Sequence, residues 1–128
     1  MRPNLNGIDK RYQYVIIEDS IDNLRDYFKE VSSVDEVRQV RKEITEREAQ
    51  LAELRAELLS EVKYTYSGRK VTGIQFREYT VKIGYSEFWN SYIFGAEVYE
   101  KDLEESVIRF TTRTFLGRDA IREALKAA

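Results

Sequence analysis

Residues 62–76 read "VKYTYSGRKVTGIQF", and their reading decides the fold. Val62, Tyr64 and Tyr66 alternate with Lys63 and Thr65, the period of two that belongs to a half-buried strand. The run turns at Ser67 and Gly68 and resumes with Val71 and Ile74, which makes a β-hairpin. From here onward the pattern is extended. A third strand is expected in "EYTVKIGY", with Tyr79, Val81 and Ile83 on one face, and a fourth within the aromatic-rich "SYIFGAEVYE". After the acidic turn "KDLEES", the run "VIRFTTRTFL" reads as a fifth strand.

Upstream of the hairpin the period changes to that of a helix. Val37, Val40, Ile44, Leu51, Leu54 and Leu58 recur at alternating steps of three and four, the seam of a coiled coil, with Arg47 at one inner position. The stretch holds no Gly or Pro before Ser67, and Ser33 and Glu36 have the spacing of a capping box. The seam can pack within the chain or against a second copy, and Glu43 and Arg47 can pair at i, i+4. Before it, "DSIDNLRDYFKEV" places Ile21, Leu24, Phe28 and Val31 on one helical face, with Asp19 or Ser20 as a cap. The aromatic and β-branched run "YQYVIIE" (Tyr12 to Glu18) reads as a short strand by propensity. "GRDAIREALKAA" reads as a short terminal helix that opens at Gly117 to Asp119. The fold class expected is therefore α+β: N-terminal helices, one of them long and coiled-coil-like, then an antiparallel β-meander and a short C-terminal helix.

At 128 residues the chain is expected to form one domain, 1–128, that assembles into an oligomer, because a charged fraction of 34% beside 42% hydrophobic residues suits a core shared between subunits. Cysteine and histidine are both absent. Disulfides, thiolate metal sites and imidazole or thiol catalysis are thereby excluded. No apolar run approaches a membrane span and the N-terminus lacks an apolar leader, so a cytoplasmic protein with no membrane partner is expected. A net charge of −2 argues against a general nucleic-acid binder. The sum hides an asymmetry. From Ser106 to the end, five basic residues (Arg109, Arg113, Arg118, Arg122, Lys126) outnumber two acids (Asp119, Glu123).

Two constellations can carry chemistry. On the expected fifth strand, Arg109, Thr111 and Arg113 project from one face while Ile108, Phe110, Thr112 and Thr114 project from the other. Such a face is either solvated against nearby glutamates or an anion site. Its continuation "LGRDAI" opens a helix whose free N–H groups attract phosphate, and Arg118 adds a forked donor there, although Asp119 can cap the same end. In "GYSEFWNSYIFG", Tyr85, Phe88, Trp89, Asn90, Tyr92 and Phe94 crowd rings around one amide. Core packing explains most such clusters; beside an arginine strand the rings also describe a nucleotide pocket. No phosphate-loop glycine pattern, nucleophile elbow or paired acidic motif accompanies them, so binding without catalysis and without a cofactor is the expectation.

With "EFWN" and "RFTTRTFLGRDAI" as its most specific stretches, the chain resembles the first family of Thoeris anti-defence proteins, phage proteins that sequester cyclic ADP-ribose isomers. The likeness is one of element order and character over roughly residues 12–128. It implies Arg109 and Arg113 as pyrophosphate ligands, Phe88 or Trp89 as the base-stacking ring and Asn90 as the sugar or base contact. It also implies homodimers or higher oligomers in the cytoplasm of the bacterial host, with cyclic oligonucleotides as a second ligand class. Two other readings are a coiled-coil module that binds a host protein and a nucleic-acid-binding β-surface built on the arginine strand.

Overall fold

The computed structural model describes Leu5 and residues 7–114. It is an α+β arrangement: two helices, a five-stranded antiparallel sheet and a short helix. Helix α1 spans Lys10–Phe28 and α2 spans Val34–Ser60. The strands are β1 (Val62–Ser67), β2 (Lys70–Phe76), β3 (Tyr79–Ser86), β4 (Ser91–Phe94) and β5 (Glu97–Val98), and α3 covers Leu103–Arg109. A π-helical turn, Phe110–Thr114, follows α3 directly. Among the described residues, no helix is long and apolar enough to cross a membrane. Backbone contacts divide the chain into two compact units, the first holding the chain to Ala56 and the second beginning at Glu57.

In the first unit α1 and α2 form an antiparallel pair: Arg25 bonds Glu48 at 2.9 Å, and the Arg41 guanidinium lies 5.6 Å from the Phe28 ring centre. The seam read from the sequence is the half-buried face of α2. Val40 and Leu54 are buried, while Val37, Ile44, Arg47 and Leu51 are partly covered between exposed neighbours. Arg47 pairs with Glu43 at 3.6 Å, as the spacing allows.

The run Tyr12–Glu18 is helix, not strand, and belongs to α1. Tyr14, Val15, Ile16 and Ile17 are all buried. Successive helical residues point about 100° apart, so these four cover nearly every side of the helix. Covered on all sides, the segment gains from apolar bulk whatever its conformation, and a propensity difference of under about 1 kcal/mol per residue does not decide it. The helix starts at Asp9, not at Asp19 or Ser20: the Asp9 carboxylate accepts from the Arg11 N–H at 2.9 Å.

In the second unit the strands follow one another in the order β1-β2-β3-β4-β5. Val62 lies opposite Phe76, Tyr64 opposite Ile74, Ile74 opposite Val81 and Ile83 opposite Phe94, which puts these side chains on one face. Ile74, Phe76, Ile83 and Phe94 are buried, and Lys63, Gln75 and Lys82 on the other face are exposed. The period of two seen in the sequence is this division. Gly68, at φ 63°, supplies the left-handed residue of the first hairpin turn.

Val107–Thr114 of "VIRFTTRTFL" is not a fifth strand; it runs through α3 and the π-helical turn, Phe115 and Leu116 lie outside the described residues, and the fifth strand is the two-residue β5. Val107, Ile108, Phe110, Thr111 and Thr112 are buried together, so Ile108–Thr112 does not divide into an exposed and a buried face as alternation required. The helix had a legible start: "DLEE" is a cap with acids in the first turn, and the Asp102 carboxylate accepts from the Glu105 N–H at 2.9 Å. The buried threonines are satisfied by one acceptor. Thr111 and Thr112 each donate a hydroxyl to the Ile108 carbonyl, at 3.2 and 2.7 Å. In an α-helix that carbonyl would serve the amide of residue 112, and here the turn widens to π.

Candidate ligand-binding site

Arg109 ends α3 and Arg113 lies in the π-helical turn, four residues apart. A helical spacing of four keeps both guanidinium groups on one side. They line one pocket of about 530 Å³ together with Glu97, Val98, Tyr99 and Glu100. A volume in the range of about 300–1,000 Å³ is that of small-molecule sites. Thr111, expected to share the arginine face, is instead fully buried.

The opposite wall is held by short contacts. Tyr99 sits in an aromatic group with Phe94 (ring centres 5.1 Å apart) and Phe110 (5.8 Å), and Phe94 and Phe110 are 5.2 Å apart. The Tyr99 hydroxyl donates to Glu97 Oε2 at 3.2 Å. Ser106, completely buried, accepts from the Glu100 N–H at 3.0 Å and lies 3.2 Å from the Glu100 carbonyl. That serine fixes the backbone from which the Glu100 carboxylate springs.

Phe88, Trp89 and Asn90 lie in the turn between β3 and β4, not on a strand and not in the core. Phe88 is 85% exposed and Trp89 60%. Both rings project from one turn. Their centres are 4.9 Å apart with planes at 88°, so one flat ligand ring can stack on either but not on both. The turn is pinned at Trp89: its N–H donates to Ser86 Oγ at 3.2 Å and its carbonyl accepts from Ser91 Oγ at 3.1 Å. Asn90 takes the left-handed conformation (φ 49°), which asparagine tolerates, and its Oδ1 accepts from the Tyr85 hydroxyl. The Tyr85 ring meets Tyr92 edge-on, with centres 5.2 Å apart.

These three residues do not line the arginine pocket, but the backbone brings them near it. Tyr92, two residues past Asn90, donates its N–H to the Glu100 carbonyl at 2.9 Å and accepts at its own carbonyl from the Tyr99 N–H at 2.8 Å. Two extended residues reach at most about 7 Å, so the Asn90 backbone lies within that distance of Tyr92, whose backbone pairs with the pocket wall. Arg118 and the expected helix from Gly117 lie outside the described residues.

Sequence reasoning missed Glu97, Tyr99 and Glu100. The available signal was the acid–tyrosine–acid run itself, which means little until β5 sets it against α3. A smaller pocket of about 270 Å³, lined by Ser60, Glu61, Lys63, Gln75 and Arg77, sits where α2 meets the polar face of β1 and β2. It is occupied by its own pair: Arg77 Nε bonds Glu61 at 3.2 Å. Among the described residues, no group of three or more metal-ligating side chains is close enough to hold an ion. Comparison with protein-family models, curated proteins and solved structures returns no match.

Proposed function

We propose that the protein captures a phosphate-bearing nucleotide at the Arg109–Arg113 pocket and releases it unchanged, cyclic ADP-ribose isomers being the ligands the sequence resemblance implies. The observation that carries this reading is the convergence of two permanently charged guanidinium groups on one pocket of ligand size beside an aromatic wall. The arginines neutralise phosphate, and a base stacks on Tyr99 or on the exposed Phe88 or Trp89, with Asn90 Nδ2 as a further donor. With neither histidine nor cysteine in the chain, nothing obvious is set to attack the ligand. The same reading places the protein in the host bacterial cytoplasm as a homo-oligomer joined along the α2 seam. A second reading, as a protein-interaction module, rests on one observation: a pinned turn that presents Phe88 and Trp89 to solvent.

The test is capture and release. Purified protein is incubated with the products of a TIR-domain cyclase, washed by filtration and heat-denatured, and the released ligand is identified by mass spectrometry. Intact nucleotide recovered from the native protein, and at least tenfold less from Arg113→Ala, is the expected result. A linear or hydrolysed product makes the protein an enzyme. Failure to retain any nucleotide favours the interaction module, whose own signature is a partner lost on Trp89→Ala. Light scattering that finds a monomer at high micromolar concentration removes the oligomer from the proposal.

A further inference from the structure

We infer that the acidic wall of the Arg109–Arg113 pocket makes it selective for phosphate esters of polyols, with vicinal hydroxyls of the ligand donated to Glu100 and Glu97. The inference rests on the anion-binding reading above and deepens it. A pocket built for phosphate alone gains nothing from carboxylates, because like charges repel the ligand it is meant to hold. Yet two of its six lining residues are glutamates, facing the same space as the two arginines. A ligand that engages all four carries an anion and, close beside it, groups that donate hydrogen bonds.

Ionised carboxylates only accept, so their partners are N–H or O–H donors. Hydroxyls fit better than an ammonium group, since a cation would meet the arginines that hold the phosphate. Two acceptor groups three positions apart on one short segment suit a pair of adjacent hydroxyls. An acidic residue on the hydroxyls of a ribose is the same solution that dinucleotide-binding folds reach by another route. Both glutamates are placed for the task. Glu100 uses its backbone to bind the buried Ser106 and Tyr92, which leaves its carboxylate for the ligand. Glu97 is oriented through one oxygen by the Tyr99 hydroxyl, and its other oxygen remains an acceptor.

The consequence has a sign that simple charge does not. Glu100→Gln removes a negative charge, so bare anions bind more tightly; it also replaces a strong acceptor with a weak one, so polyol phosphates bind less tightly. The full-length chain is titrated by calorimetry with ADP-ribose, ADP, 2′,3′-dideoxy-ADP and inorganic pyrophosphate, and circular dichroism checks that the variants fold. ADP should exceed its dideoxy analogue by about tenfold, the scale of a lost hydrogen bond to a charged group. Glu100→Gln should weaken ADP-ribose several-fold and strengthen pyrophosphate several-fold, and Glu97→Gln should do the same more weakly. Equal binding of ADP and dideoxy-ADP, or a Glu100→Gln variant that strengthens every probe alike, overturns the acidic-wall inference while leaving the phosphate site standing. Binding of no probe at all, or binding indifferent to Arg113→Ala, overturns both.

Discussion

Helix α2 and the segment Leu103–Thr114 are both helical, yet only the first looks helical in the sequence. In α2 one face is covered and the rest is wet: Val40 and Leu54 are buried while Lys42, Glu48 and Glu53 are exposed. The apolar residues must then recur at helical steps, and they do. In the C-terminal segment Ser106, Val107 and Ile108 are buried in succession, as are Phe110, Thr111 and Thr112. A helix covered on most sides has no wet face to mark its period, and a β-branched, aromatic run of this kind has the composition of a strand. Periodicity reports partial solvation rather than secondary structure as such.

If that contrast is right, equal substitutions should cost unequal amounts. Ile108→Ala empties a site only 1% exposed and should destabilise the protein by about 2–5 kcal/mol, whereas Ile44→Ala on the half-covered seam of the dissociated chain should cost about 1 kcal/mol. Urea unfolding followed at 222 nm reads both. Similar losses in the dissociated chain would break the comparison, while an Ile44→Ala loss that grows only where copies associate is the seam contact of the proposed oligomer.

The seam offers a substitution with the opposite sign. Arg47 occupies an inner position, its side chain is 17% exposed, and its Nε is buried with no hydrogen-bond partner. Arg47→Leu removes that unsatisfied donor and continues the apolar stripe, so it should raise stability by about 1 kcal/mol, seen as a higher urea midpoint with an unchanged slope. A lower midpoint would show that the ion pair with Glu43 holds the helix more firmly than an apolar side chain can.

The smallest effect appears only at high pH, and it sharpens the position of α3 on the sheet. Burial, followed by the nearby charges of Glu104, Tyr66 and Asp102, raises the Tyr64 phenol above its ordinary value. The folded protein therefore keeps this proton to higher pH than the unfolded chain does. The contribution of Tyr64 is complete below about pH 10 and is lost as the pH rises through the raised folded value. Stability measured across that window should fall more steeply for the native sequence than for Tyr64→Phe. Parallel pH profiles would mean that the first turn of α3 does not approach β1.

Of the candidate site, the sequence supplied the arginines but for a mistaken reason. Arg109 and Arg113 line one pocket through a helical spacing of four rather than the strand spacing of two, because i, i+2 and i, i+4 both share a face in a strand while only i, i+4 does so in a helix. Phe88 and Trp89 were legible as an aromatic pair, but their exposure was not. It depends on Ser86 and Ser91 tying off the backbone of a turn.

What the sequence alone determined is the α+β class and the faces of the elements that are half in water: the α2 seam, its Glu43–Arg47 pair, and the polar and apolar sides of β1 to β3. In each case burial is periodic, and the period is written in residue types. What only the tertiary structure decided is the helical state of Tyr12–Glu18 and Val107–Thr114, where burial at successive positions erases the period and outweighs propensities of under about 1 kcal/mol per residue. It also decided the pocket, since Glu97 and Glu100 meet Arg109 and Arg113 only because β5 and α3 fold against each other across a short loop.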